Sequence, residues 1–218
     1  MVNSLNFNKK DTFIRIIFFL VGLLIMGLGI SLLIVSNFGS GPWDAVNIGL
    51  SNILDISIGA CMNLVAVIQL IIGGILNKKI PNFYTLITSV FLGLFIDFWM
   101  LFLGSIIVTT LIYKFLMFML ALVVVSLGIS IYLVSNLPNT PLDYFMLAIK
   151  SKLNLSLMIG KITSESIGFL LAILLGGNVG VGSIIVILAI GPMMQVLQKP
   201  CINLYDKILN FDIKENLA

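Results

Sequence analysis

Histidine is absent from this 218-residue chain, cysteine occurs twice, and charged residues make up only 10% of it. Each shortage excludes something. Without histidine, the commonest zinc ligand and the usual general base for a serine or cysteine nucleophile are missing. Cys61 and Cys201 fall on opposite faces of the topology argued below, where no disulfide can join them, so both read as packing residues. Soluble proteins carry about 25% charged residues. Charge as sparse as this could not keep a chain that is 60% hydrophobic in water. No G-x-x-x-x-G-K-[ST] phosphate loop is present, which argues against ATP-driven transport by this chain alone. The net charge of +3 comes with no basic run or aromatic-basic interleaving, so nucleic acid is not an expected partner. No nucleophile-base pair, metal cluster or cofactor motif points to an enzyme.

What the chain has in quantity is uncharged length. Runs of 28, 22, 28 and 33 residues without charge separate Arg15 from Asp44, Asp55 from Lys78, Lys114 from Asp143 and Glu165 from Lys199. About 20 apolar residues suffice to cross a bilayer. Lys9, Lys10 and Arg15 precede the first apolar run, as in a signal peptide. That run extends from Ile16 to Val35 with no small-residue cleavage site after it, so it reads as a retained span.

The chain also repeats itself. Gly29 to Asp44 aligns without a gap on Gly128 to Asp143 at a constant offset of 99, and eight of the sixteen pairs are identical. The shared Gly, Ser, Asn, Pro and Asp are not explained by common membrane composition. The register continues through Leu54/Leu153 and Ser57/Ser156. With a one-residue slip, Thr85/Ser183, Gly93/Gly191 and Asp97/Gln195 correspond.

Each copy reads as a span, a short amphipathic helix and two further spans. The spans fall near 14 to 36, 57 to 76 and 84 to 104, then near 112 to 135, 157 to 176 and 182 to 198. The expected architecture is an all-α polytopic membrane protein of six transmembrane helices. Its single membrane domain comprises repeat 1 (14 to 104), repeat 2 (112 to 198) and an amphipathic tail (199 to 218). After Pro42, the residues Trp43, Val46, Leu50, Ile53 and Leu54 keep helical spacing while Asp44, Asn47, Ser51 and Asn52 fill the other face. Leu142, Phe145, Met146, Ile149 and Leu153 repeat the pattern. Thirteen residues reach roughly 20 Å, short of a hydrocarbon core about 30 Å thick, so these helices are expected to lie in the interface or to re-enter. Proline at a first helical position and aspartate within the first turn make a sound helix start in both copies.

Three spans per copy make the repeats inverted. With the N-terminus inside, Lys9, Lys10, Arg15, Lys78, Lys79, Lys150, Lys152, Lys199, Lys207 and Lys214 are all cytoplasmic, and only Lys114 lies near the outer side. The Pro42 turn then faces out and the Pro141 turn faces in. Ile202, Tyr205, Ile208 and Leu209 share one face of the tail, which is expected to rest on the cytoplasmic leaflet.

Ionisable groups inside spans are costly to bury and are functional candidates by default. Asp97 and its mate Gln195 keep one repeat position polar and suggest a central site, with a structural hydrogen bond as the plain alternative. Lys161, Ser164, Glu165 and Gly168 form one polar stripe, either a proton relay or an ion pair. Asn63 and Gln69 read as interhelical hydrogen-bond partners. Asp44 and Asp143 either bind a solute at the two mouths or cap their helices. Gly22, Gly27, Gly29, Gly73 and Gly74 permit close helix packing.

Gly39-Ser40-Gly41-Pro42-Trp43-Asp44, the second P-x-D turn at Pro141 and Asp143, Gly180-Val181-Gly182-Ser183 and Gly191-Pro192 together resemble the YczE/YyaS/YitT-like family of bacterial integral membrane proteins. The resemblance covers roughly residues 14 to 198. Asn139-Thr140 replaces the glycine usual before the second proline, and Ser183 stands where threonine is usual. The resemblance implies a multi-pass fold in the bacterial cytoplasmic membrane and no settled activity. Inverted repeats with interrupted helices recur in secondary transporters. The expected function is therefore a small-solute transporter or permease with the lipid bilayer and an unknown small solute as partners. The alternative from another class is a non-transporting membrane scaffold or regulator.

Overall fold

The computed structural model describes residues 9–215. The side chains of Lys9, Lys10, Leu209 and Lys214, which enter the topology and tail expectations, lie outside the described set, as does the end of the tail at 216–218. The described residues form eight helices: α1 Lys9–Ser36, α2 Pro42–Leu54, α3 Ile58–Asn77, α4 Thr85–Leu103, α5 Leu111–Val134, α6 Pro141–Lys152, α7 Leu157–Leu174 and α8 Val181–Glu215. No strand occurs among the described residues. Among the described residues five helices (α1, α3, α4, α5 and α8) are long and apolar enough to cross a membrane. The sequence expectation counted six; α7, whose side chains at 157 and 158 lie outside the described set, is not among the five.

The centre of the fold is the pair α1 and α5, which run antiparallel. Glycine sets their separation. A Cβ on Gly29 would strike Val125, one on Gly128 would strike Met26, and one on Gly22 would strike Tyr132. With no side chain at these crossings the backbones come close enough for continuous van der Waals packing. Around the crossing, Leu23, Leu33, Ile96, Phe118 and Leu122 are fully or almost fully buried in one apolar cluster that also takes in Val186 of α8. α4 packs on α1, where Trp99 Nε1 donates to the Leu24 carbonyl at 3.0 Å, and α8 packs on α5.

Aromatic contacts fix the two ends of this core. At one end Phe38, just past α1, meets Phe115 edge to face and Phe118 at a tilt near the start of α5, and the Gly182 amide of α8 donates to the Phe38 carbonyl. Gly39 there has φ +129° and lies directly against Gly182 and Ser183, a conformation and a distance that both require glycine. At the other end Phe18, Val134, Cys201 and Tyr205 form a separate cluster, with Phe18 and Tyr205 edge to face at 5.1 Å. The tail therefore differs from a separate leaflet-bound helix. α8 continues through Pro192 and Pro200 for 35 residues, and Cys201 and Tyr205 are held against α1 and α5 because their apolar faces find a protein partner.

The short helices complete the fold. α2 packs on α7 and α6 packs on α3, so each joins the other half of the chain. Gly49 and Gly177 meet Leu175 and Ala45 across α2 and α7, and Gly73 meets Tyr144 across α3 and α6.

Candidate functional site

A cavity of about 420 Å³ lies at the centre of the bundle, with lining residues from all eight helices. One end is formed by Gly41 to Asp44 at the start of α2, the other by Asn139 to Asp143 at the start of α6. Between them, Lys161, Ser164 and Glu165 project from α7, one helical turn from Lys161 to Glu165. Asn47 of α2, Gln69 of α3 and Tyr132 of α5 add further polar groups to a wall that is otherwise mostly aliphatic and methionine.

The two P-x-D turns enter the cavity in different ways. Thr140 and Asp143 close a capping box: the Asp143 amide donates to Thr140 Oγ1 at 3.2 Å, and the Thr140 amide and hydroxyl both donate to Asp143 Oδ2, at 3.3 and 2.8 Å. The Tyr132 hydroxyl reaches the same oxygen at 3.5 Å. Asp143 thus serves its own helix start. Asp44 has no such role, since Gly41 at the N-cap has no side chain to exchange hydrogen bonds with it and no side-chain cap forms. The Asp44 carboxylate is instead left in the cavity with Glu165 and Lys161.

Asp97 and Gln195 are not brought to this cavity. Asp97 accepts from the Ser57 hydroxyl at 2.6 Å and from the Gly59 amide at 2.8 Å, so it closes the N-terminus of α3 onto α4. Gln195 is exposed on α8. Trp43 lies flat against Gly168, where a Cβ would touch its indole ring, and meets Phe145 edge to face at 5.8 Å. Pro42 and Pro141 are buried at the first positions of their helices.

Sequence reasoning missed Asn47 and Tyr132 as site residues and read Gln69 as an interhelical partner. Asn47 is 3% exposed, and its Oδ1 has no hydrogen-bond partner. Ser164, 1% exposed, also lines the cavity and has an unpartnered hydroxyl. Buried polar atoms are nearly always paired, so an unpaired one facing a cavity marks a place for a ligand or water. The signal was present in the sequence as Asn47 on the polar side of α2, three residues after Asp44.

Among the described residues no cluster of His, Cys, Asp and Glu is arranged to hold a metal ion. The chain is 33% identical over 177 residues, 81% of its length, to a Bacillus subtilis (strain 168) protein named "Uncharacterized protein YyaS", and covers 88% of that protein. It is 24% identical over 188 residues to "Uncharacterized membrane protein YczE" of the same organism, covering 86% of each chain. An uncharacterized protein of Haemophilus influenzae is 26% identical over 176 residues, 81% of this chain and 79% of that one. No solved structure matches. With its apolar helices the chain is a multi-pass membrane protein, and residues 13–199 match a family throughout: it belongs to the family of unknown function DUF6198, with YyaS and YczE as relatives.

Proposed function

We propose that this protein is a small-solute transporter of the bacterial cytoplasmic membrane, working by alternating access between two inverted three-span repeats. The observation that carries the reading is the central cavity, in which the start of α2 and the start of α6 approach from opposite ends of the antiparallel α1 and α5. An arrangement of two interrupted elements around a midplane site is what rocking of one half against the other requires. The inverted repeat is supported by the glycine crossing: Gly29 on Val125 and Gly128 on Met26 are the same contact under the offset of 99. The clustering of Phe18, Val134 and Tyr205 supports placing the start of α1, the end of α5 and the end of α8 on one side, the cytoplasmic side by the lysine distribution. α7 serves as the sixth span; at 1.5 Å per residue its 18 residues reach roughly 27 Å.

Glu165, with Lys161 and Asp44, is the group placed to carry charge through the cycle, and Asp97 is a helix-capping residue within it. The test is flux into vesicles holding the purified protein, with and without a pH gradient. Solute uptake above that of empty vesicles, lost in Glu165→Gln, is the expected result. Absence of flux across a broad panel of solutes, with folded protein in the bilayer, would favour the scaffold alternative.

A further inference from the structure

The chemistry of the cavity narrows what it can hold. Three carboxylates (Asp44, Asp143 and Glu165) face it against the single ammonium of Lys161. Asp143 commits its Oδ2 to Thr140 and Tyr132, whereas Asp44 and Glu165 carry no such hydrogen bonds and are the carboxylates most open to a ligand. A second, independent feature points the same way. Asn47, one turn from Asp44 on α2, is 97% buried by its 3% exposure and lines the cavity, and the atom left without a partner is its acceptor oxygen Oδ1. An acceptor beside excess carboxylate is completed by a cation rather than an anion, and a cation seated against a mostly apolar wall is an organic one that brings its own N–H donors. The remaining wall is apolar, with Met26, Met62, Met146 and Met194 among flexible side chains that adapt to different shapes.

α3 packs on α4, whereas among the described residues α7 and α8 form no corresponding packed pair. Lys161, Ser164 and Glu165 of α7 and Val186, Ile190 and Met194 of α8 all line the cavity, so its polar and apolar walls face each other there.

We propose that the central cavity is a binding site for a protonated amine carried on an apolar body, with the ammonium held by Asp44, Glu165 and Asn47. This rests on reading the cavity as the solute site. A volume of about 420 Å³ lies within the range of roughly 300–1,000 Å³ for pockets that enclose small organic ligands.

The test compares three probes with one apolar body: 4-phenylbutylamine, 4-phenylbutan-1-ol and 4-phenylbutyrate. Equilibrium binding to the full chain in lipid nanodiscs at pH 7 should be saturable for the amine, at least about ten-fold weaker for the alcohol, and weakest for the acid. Glu165→Gln and Asp44→Asn should each reduce the ratio of amine to alcohol affinity while leaving the alcohol bound. Asn47→Leu should do the same to a smaller extent. Tighter binding of the acid, equal binding of all three probes, or an unchanged ratio in every variant would overturn the proposal. The order of the three probes on the unmutated protein decides the matter even where a variant does not fold. Amine binding without amine flux would remove the transporter reading and leave the ligand class standing. Flux of another solute with no amine binding would do the reverse.

Discussion

The seam between α3 and α4 and the one between α7 and α8 occupy aligned stretches of sequence, and among the described residues they are closed to different degrees. In the first, a Cβ on Gly59 would collide with the Gly93 carbonyl and with the Asp97 carboxylate, and one on Gly93 would collide with the Gly59 carbonyl. Asp97 then joins Ser57 and the Gly59 amide across the contact. In the second, Met158 occupies the position of Gly59, Gln195 that of Asp97, and a Cβ on Gly191 would meet nothing within 4 Å. With glutamine in place of the carboxylate, the hydrogen bonds that close the first seam have no counterpart in the second among the described residues. Among the described residues the first seam is therefore latched and its counterpart shows no such latch.

The comparison is broken or sharpened most strongly by overpacking. Gly59→Leu and Gly93→Leu should each lower stability by about 3 kcal/mol and the yield of folded protein with it, because backbone lies where the side chain must go. Gly191→Leu should change the melting temperature of the purified protein little, within about 0.5 kcal/mol. Equal losses at positions 93 and 191 would mean that the α7 and α8 seam is closed in the bilayer.

Next in size is the carboxylate latch. Asp97→Ala removes the acceptor for a hydroxyl and an amide and should cost about 2 kcal/mol, as hydrogen bonds to charged groups do. Gln195→Ala, at the matching position, should fall within about 0.5 kcal/mol of the parent in the same denaturation measurement. A Gln195 variant as damaging as the Asp97 variant would contradict the unlatched seam.

The two P-x-D turns extend the comparison to smaller effects. Thr140→Ala opens the capping box and should cost about 1 kcal/mol. Asp44→Asn, at a turn with no cap to lose, should leave stability nearly unchanged and act on ligand binding alone. A thermal melt of both variants beside a binding isotherm separates the two roles.

The smallest expected change has the opposite sign. Gly191→Ala adds a methyl group in open space on a helix, and alanine favours the helix over glycine by up to about 1 kcal/mol. The variant should melt at the same temperature or slightly higher, whereas Gly93→Ala should melt lower.

Much of this architecture is written in the chain. A 20-residue apolar run has only the helix available in lipid, because every backbone amide and carbonyl must be paired within the segment. Pro42 and Pro141 begin α2 and α6 as read, since proline suits a first helical position where its missing amide costs nothing. The small residues at Gly22 and Gly29 mark close contacts, because in an apolar solvent close packing is what holds helices together. These are local consequences of residue type and spacing.

The site is of another kind. Asp97 and Glu165 are both lone carboxylates in apolar helices, and their own neighbours in sequence do not separate them. Only the meeting of α3 with α4 supplies Ser57 and Gly59 to the first, and only the meeting of α2, α6 and α7 places the second in a cavity with Asp44 and Asn47. Likewise Asp44 and Asp143 sit in matching turns, yet one keeps its carboxylate free because the residue at the N-cap is Gly41 where the other copy has Thr140. Sequence by itself determined the helices and their starts, because backbone pairing and hydrophobic run length act along the chain. Tertiary structure alone decided which polar groups are satisfied and which face the cavity, because hydrogen bonding between helices depends on partners far apart in the chain.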